Sequence, residues 1–178
     1  PNAEWTAPFE LKDLTGAKEI ALDLGTRDPH LKEYGPGWPR KDGDVVGIAV
    51  ATEGWEAYYP IAHLGGGNLD KNVVLRWLKK QLSTGCPKIM HNAPYDLGWL
   101  KALDIPVNGP IIDTMIMAAL LDENRYSYSL NALSYDYLGE AKSEKLLTQA
   151  AVDFGVDPKA ELWKLPSQFV GPYAEMDA

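Results

Sequence analysis

Three places in the 178-residue chain carry side chains whose types and spacing suit chemistry on a charged substrate. Asp23 sits inside the apolar run Glu19-Ile-Ala-Leu-Asp-Leu-Gly25. In an extended strand Ile20, Leu22 and Leu24 share one face, and Ala21, Asp23 and Gly25 share the other. A carboxylate there is costly to bury unless it is paired or bound to metal. The second place is His91-Asn-Ala-Pro-Tyr-Asp96, where a short strand turns into a helix with Asp96 in its first turn. In the third, Pro172 reads as a first-turn proline, so that Tyr173 and Asp177 fall at i and i+4 on one helical face. A phenol and a carboxylate so placed can address one bound water or metal. Each feature alone has an ordinary counterpart: an edge-strand acid in solvent, a carboxylate on a helix dipole, a surface Tyr–Asp pair.

The elements that must position these groups follow from apolar periodicity. Residues 19–25 read as a strand, 26–43 as a long Gly- and Pro-bearing loop, 44–51 and 55–61 as two more strands joined by a turn at Gly54. Short connections between neighbouring strands imply an antiparallel meander. Val73, Val74, Trp77, Leu78 and Leu82 form the stripe of a helix over 69–82, capped by Asp70. Lys88–His91 reads as a short buried strand, followed by a helix over 94–103. Ile111 and Ile112 lead into a helix over 113–121, with Asp113 as its cap or as a structural acid. Further helices are expected near 129–138, 143–154 and from 166 onward. The sum is a single mixed α/β domain with antiparallel early strands and a later strand joining in parallel.

Composition bounds the function. Lys plus Arg number 17 against 25 Asp plus Glu, a formal net charge of -8. That balance argues against a general polyanion-binding surface, but not against nucleic acid held through metal, because carboxylates are the ligands Mg²⁺ prefers. One cysteine, Cys86, excludes an intramolecular disulfide and a Cys-based zinc site. No apolar run has the length of a membrane span and no secretory signal precedes the first strand, so a cytoplasmic protein is expected.

Taken in order, the strand Asp23, the Asn92-x-x-Tyr95-Asp96 junction and Tyr173-x-x-x-Asp177 resemble the three motifs of the DEDD superfamily of 3'–5' exonucleases, tyrosine subclass. The match is closest to the proofreading domain of family A DNA polymerases, of bacteriophage type. The flanks Ile112-Asp-Thr-Met-Ile-Met-Ala-Ala-Leu-Leu121 and Tyr128-Ser-Leu-Asn-Ala-Leu-Ser134 are similar to segments between the second and third motifs there. The resemblance implies a ribonuclease H-like mixed sheet, antiparallel meander plus parallel strands, flanked by helices. It implies removal of nucleotides from single-stranded DNA 3' ends with two divalent cations, Mg²⁺ or Mn²⁺, about 4 Å apart. By carry-over Asp23 bridges both ions, Asp177 ligates the first, and Asp96 holds the second largely through water. Tyr173 orients the attacking water, and Thr26 and Asn92 hold the terminal nucleotide. A partner polymerase domain in a longer chain is expected, in a bacterial cell or a phage-infected host.

Gly25 departs from the pattern. The family's first motif is Asp-x-Glu, and here it reads Asp23-Leu24-Gly25. Two residues apart on a strand means the same face, so the absent glutamate would have shared the first ion with Asp23. Its loss is expected to impair turnover by about 10² or more, as loss of a key transition-state stabiliser does. Asp28 and Glu53 are the candidate substitutes, and neither has the spacing to stand beside Asp23 by default. The alternative function is a non-catalytic domain that binds a DNA end or supports a polymerase; a ribonuclease D relative is a third. The loop over 26–43 is a candidate strand-contacting surface, with Arg27, Lys32, Arg40 and Lys41 among His30, Tyr34 and Trp38. Asp28, Glu33 and Asp42 nearly cancel its charge.

Overall fold

The computed structural model of the chain describes residues 2–139 and 144–178. Five strands, β1 (Ile20–Arg27), β2 (Asp44–Thr52), β3 (Trp55–Pro60), β4 (Lys88–Met90) and β5 (Ile111–Asp113), form one sheet in the order β3-β2-β1-β4-β5. β1, β2 and β3 pair antiparallel, and β4 and β5 join in parallel on the other side of β1. The helices are α1 (Leu31–Tyr34), α2 (Lys71–Gln81), α3 (Ala93–Ala102), α4 (Thr114–Leu121), α5 (Leu130–Leu138), α6 (Lys145–Phe154) and α7 (Ser167–Asp177). Asp70 caps α2 by accepting from the Val73 N–H at 3.1 Å, as its position before the apolar stripe predicts.

The strand alternation read from the sequence divides the core in two. Ile20, Leu22 and Leu24 face a cluster with Ile48, Val50, Tyr59, Val74, Leu78, Trp99 and Leu100, which joins the sheet to α2 and α3. On the opposite face Ala49 and Tyr58 pack under Ala150, Leu165, Phe169, Val170 and Ala174, from α6, α7 and the segment leading into α7. Asp23, paired with Ala49, lies on this second face.

Register breaks once beside the site. Gly25 opposes Gly47 but Thr26 opposes Val45, so Val46 is an extra residue on β2, a β-bulge. The Val46 carbonyl accepts instead from the Ile61 and Ala62 N–H groups at 2.9 and 3.0 Å. Val45 and Val46 are both buried, as are the next four residues of β2, because both faces of the sheet are covered.

Three expectations need correction. β1 runs two residues past Gly25, to Arg27, because the bulge lets pairing with β2 resume. The loop after it holds the single turn α1 and a 3-10 turn at Trp38–Arg40 rather than open chain. Pro172 lies inside α7, not in its first turn, because the helix begins at Ser167, directly after Pro166. The i,i+4 relation of Tyr173 and Asp177 survives, since both remain within α7. The helix expected over 143–154 is α6, and position 143 lies outside the described residues.

A buried cation closes the far end of β4. Lys88 is fully buried, and its Nζ donates to the carbonyls of Thr84, Cys86 and Asn108 at 2.7–2.8 Å. All three ammonium protons are used, which is the condition for keeping such a charge inside.

Candidate active site

β1, β4 and β5 deliver the acids to one end of the sheet. Asp96 falls in the first turn of α3 and is 3% exposed. Its pKa is pushed up to about 8, first by burial, then by the neighbouring Asp23 carboxylate, with Asp113 adding to the repulsion. A hydrogen bond from the Leu24 backbone N–H opposes the shift without cancelling it. Asp96 Oδ2 is buried and has no hydrogen-bond partner. An orphaned carboxylate oxygen beside a second carboxylate is the arrangement a hard cation relieves.

The turn that aims Asp96 is held by a third acid. Asp113 accepts from the N–H groups of Asn92 (3.0 Å), Ala93 (2.8 Å) and Met115 (3.0 Å). It caps its own helix α4, as expected, and also ties down the start of α3. Asn92 there adopts a left-handed conformation with φ of 62°, which leaves its amide exposed. The His91 ring completes the tie. Its Nε2–H donates to the Tyr128 carbonyl at 2.8 Å, and its Nδ1 lies 2.9 Å from Thr114 Oγ1.

Thr26 is committed within the fold. Tyr95 donates its hydroxyl to Asp28 Oδ2 at 2.9 Å, so Thr26 Oγ1 donates to Tyr95 Oη at 2.9 Å. Burial pushes the Tyr95 phenol up to about 12; the Thr26 and Trp99 contacts oppose the rise and the Asp28 carboxylate adds to it. Asp28 Oδ2 also accepts from the Gly37 N–H, which makes Asp28 a brace of its own loop. Glu53 is exposed in the β2–β3 turn, beside the Ala21 end of β1 and away from Gly25. Neither candidate substitute thus stands at position 25.

Two of the loop's four Arg and Lys side chains are held by neighbouring groups. Arg27 pairs with Asp44, His30 with Asp42, and Arg40 donates to the Tyr34 and Gly35 carbonyls. Trp38 is packed against the main core, with its indole over Gly98.

α7 crosses the face of the sheet that carries Asp23, packing over β3, β2 and β1. Tyr173 joins the cluster on that face. Asp177, the last residue of α7, lines a groove of about 460 Å³ with Met117, Leu121, Leu133 and Ala178. Among the described residues no group of three or more His, Cys, Asp or Glu side chains is gathered tightly enough to enclose a cation. Asp23 and Asp96 are coupled as a pair. That suits Mg²⁺, which is commonly held by one or two carboxylates with substrate phosphate and water completing its octahedron.

Sequence reasoning missed Tyr58 and His63. Tyr58 is 1% exposed, and its hydroxyl lies 2.6 Å from His63 Nε2. Burial holds the phenol well above its ordinary range, with the Asp23 charge adding to the effect. Burial also pushes the His63 imidazole down to about 4. The available signal was Gly47, a glycine inside a strand, which marks a place where something approaches the backbone closely.

A sequence profile of the 3'–5' exonuclease family of DNA polymerase A proteins matches residues 11–178. The DNA-directed DNA polymerase of Pseudomonas phage M6 is 40% identical over 183 residues, covering 99% of this chain and 28% of that protein. This chain therefore spans little more than a quarter of that relative's length. The structure of Brucella melitensis NrnC bound to pGG is similar, with a TM-score of 0.60 at 18% identity over 93% of this chain and 69% of that one. Escherichia coli RNase D gives 0.53 at 20% identity over 75% and 31%. At such identities the likeness is one of fold, and it agrees with the ribonuclease H-like mixed sheet.

Proposed function

This chain belongs to the 3'–5' exonuclease domain family of family A DNA polymerases, and from that membership we propose that it removes nucleotides from single-stranded DNA 3' ends. The observation that carries the reading is Asp96, a buried carboxylate with an unpartnered oxygen, repelled by Asp23 at the end of the sheet. Asp23, Asp96 and Asp177 are the residues that would hold two divalent cations, Mg²⁺ or Mn²⁺. Such cations, when bound, supply Lewis-acid polarisation of the phosphate and a water of lowered pKa.

The chain's own groups divide the remaining work. Asp96, whose pKa burial and the Asp23 charge raise to about 8, would hold a cation in its ionised form. Tyr173 orients the attacking water by hydrogen bond, its i,i+4 relation to Asp177 setting both groups on one side of α7. The exposed amide of Asn92 meets the terminal nucleotide. Thr26, with its hydroxyl committed to Tyr95, steadies the wall of that site. In the reaction a water oxygen bonds to phosphorus, the P–O3' bond breaks, and the leaving 3' oxygen takes up a proton. The products are a nucleoside 5'-monophosphate and a strand one residue shorter. Gly25 supplies no ligand, so turnover is low, and a polymerase domain presents the strand that the acidic surface does not attract.

The test is a 5'-labelled single-stranded DNA oligonucleotide incubated with the chain and Mn²⁺, beside an RNA of the same sequence. Stepwise shortening of the DNA from its 3' end is expected, abolished by Asp96→Asn. Binding of the DNA end without any shortening would instead establish the non-catalytic reading. Preference for the RNA would move the chain to ribonuclease chemistry.

A further inference from the structure

Tyr173 and Asp177 ride on the second half of α7, and the joint just before them is weak. Gly171 and Pro172 stand together inside the helix. Pro172 has no N–H to give the Gln168 carbonyl, and a mid-helix glycine costs helix stability of its own. The helix backbone alone therefore ties this half poorly to the first. The first half has its own anchor. The Ser167 N–H donates to the Gly66 carbonyl and the Ser167 hydroxyl to the Gly67 carbonyl, both at 3.1 Å, and the His63 ring reaches the Leu165 carbonyl at 3.2 Å. A Cβ at position 65 would fall 2.2 Å from the Pro166 nitrogen, so this glycine run is the latch for the start of α7.

The second half is held from the opposite end of the sequence. Trp5 lays its indole on Gly171, where a built Cβ would fall 2.3–2.5 Å from Cε2, Cδ2 and Cζ2 of the ring. Its Nε1–H donates to Glu175 Oε1 at 3.0 Å, and the Tyr58 backbone N–H of the edge strand β3 donates to the same carboxylate. The Trp5 ring also packs beside the Tyr58 ring, with centroids 6.3 Å apart. Trp5 stands ahead of residues 11–178, the span that carries the family likeness. Val170 and Ala174 face the sheet and are buried. At about 100° per residue, Gly171 and Glu175 fall on one flank of that face, and Tyr173 and Asp177 fall on the other. Rotation of this segment about its axis moves both flanks together. Whatever stops Glu175 also stops Tyr173 and Asp177.

We propose that Trp5 and Glu175 are positioning residues that clamp the second half of α7 and so set the aim of Tyr173 and Asp177 over the face of the sheet that carries Asp23. Neither touches the reacting atoms, and both act through the helix. The inference rests on the nuclease reading of Asp23, Asp96 and Asp177. It gives the segment ahead of β1 a task in the chemistry as well as cover for the sheet. Gly171 is the seat that lets the indole lie against the helix backbone, and Pro172 is the reason an external clamp is needed. Loosening the clamp costs cation affinity and turnover, because Asp177 and Tyr173 lose their common setting. It leaves DNA affinity alone, because no part of the clamp lies on their flank.

The experiment compares the full chain with Trp5→Ala, Glu175→Ala, their double substitution, Glu175→Gln and, as a stability control in the core under α2, Val74→Ala. Mn²⁺ affinity is measured by titration calorimetry, kcat and KM on labelled single-stranded DNA, and amide hydrogen exchange by mass spectrometry. Trp5→Ala is expected to weaken Mn²⁺ binding and lower kcat by about tenfold each, with KM for DNA unchanged. Glu175→Ala should match it, and the double substitution should add nothing, because the two groups act as one unit. Glu175→Gln keeps the acceptor and should stay close to the unsubstituted chain, which separates the hydrogen bond from the charge. Exchange should quicken over 173–177 in Trp5→Ala but not over α2. Unchanged Mn²⁺ affinity and kcat in Trp5→Ala overturn the proposal, and so does an equal loss in folded Val74→Ala. Should Trp5→Ala not fold, Trp5→Phe keeps a ring on Gly171 and removes only the N–H donor. Its expected result is weaker Mn²⁺ binding with faster exchange over 173–177, and no change in either overturns the proposal. Absence of Mn²⁺ binding in every protein, the unsubstituted chain included, overturns the nuclease reading, and exchange over 173–177 still decides whether Trp5 holds the helix.

Discussion

Asp113 and Asp96 stand at the same end of the sheet, both buried, and the fold treats them in opposite ways. Asp113 accepts three backbone N–H groups and ties α3 to α4. Asp96 is left with an unpartnered oxygen and a neighbour of like charge. Burial alone thus does not mark a working carboxylate. What separates the two is whether the surrounding chain satisfies the lone pairs, since an unsatisfied buried acceptor is retained only where something else fills it.

The contrast can be broken in stages. The largest effect is expected from Asp96→Asn, which should lower exonuclease activity by about 10³-fold while leaving the urea midpoint unchanged or raised. Activity retained by that variant would remove Asp96 from the site. Asp113→Ala should do the reverse and cost about 2–4 kcal/mol of stability in urea denaturation, because three donors lose one acceptor together. A cost below that of an ordinary surface substitution would show that the turn at Asn92 holds itself.

A pH titration sharpens the same comparison. The Asp96 pKa is about 8 in the folded chain against an ordinary value of 3.8, so between those values the fold holds a proton that the unfolded chain has lost. The Asp96 contribution to stability without metal is therefore largest toward pH 4, declines as pH rises toward about 8, and levels beyond it, while the depressed His63 contributes in the opposite sense between about 4 and its ordinary 6.5. Asp96→Asn should flatten this decline in denaturant curves taken across the range, and saturating Mn²⁺ should oppose it. A slope that persists in Asp96→Asn would assign it to another group. The smallest effect belongs to Tyr95→Phe, which removes one donor from Asp28 and should cost about 1 kcal/mol.

The expected strands, the Asp70 cap, the Asp113 cap and the position of Asp96 in the first turn of α3 were legible because each depends on neighbours within a few residues. Pro172 was misplaced for a related reason. Pro166 follows the 3-10 turn Leu162–Lys164 and directly precedes α7, and a second proline further along gives no local sign of which one begins the helix. The β-bulge at Val46 was illegible, since it is a relation between two strands rather than a property of either.

By itself the sequence determined the order of elements, the face of β1 on which Asp23 lies, and the absence of a carboxylate at position 25. Only the tertiary structure decided which acids are satisfied and what stands beside Gly25. Lone-pair satisfaction at Asp96 and Asp113 depends on backbone donors from other segments. The space beside Gly25 is set by Tyr58, 33 residues away in sequence and two strands across the sheet. Periodicity reports which face a side chain takes, while packing between faces settles what it meets there.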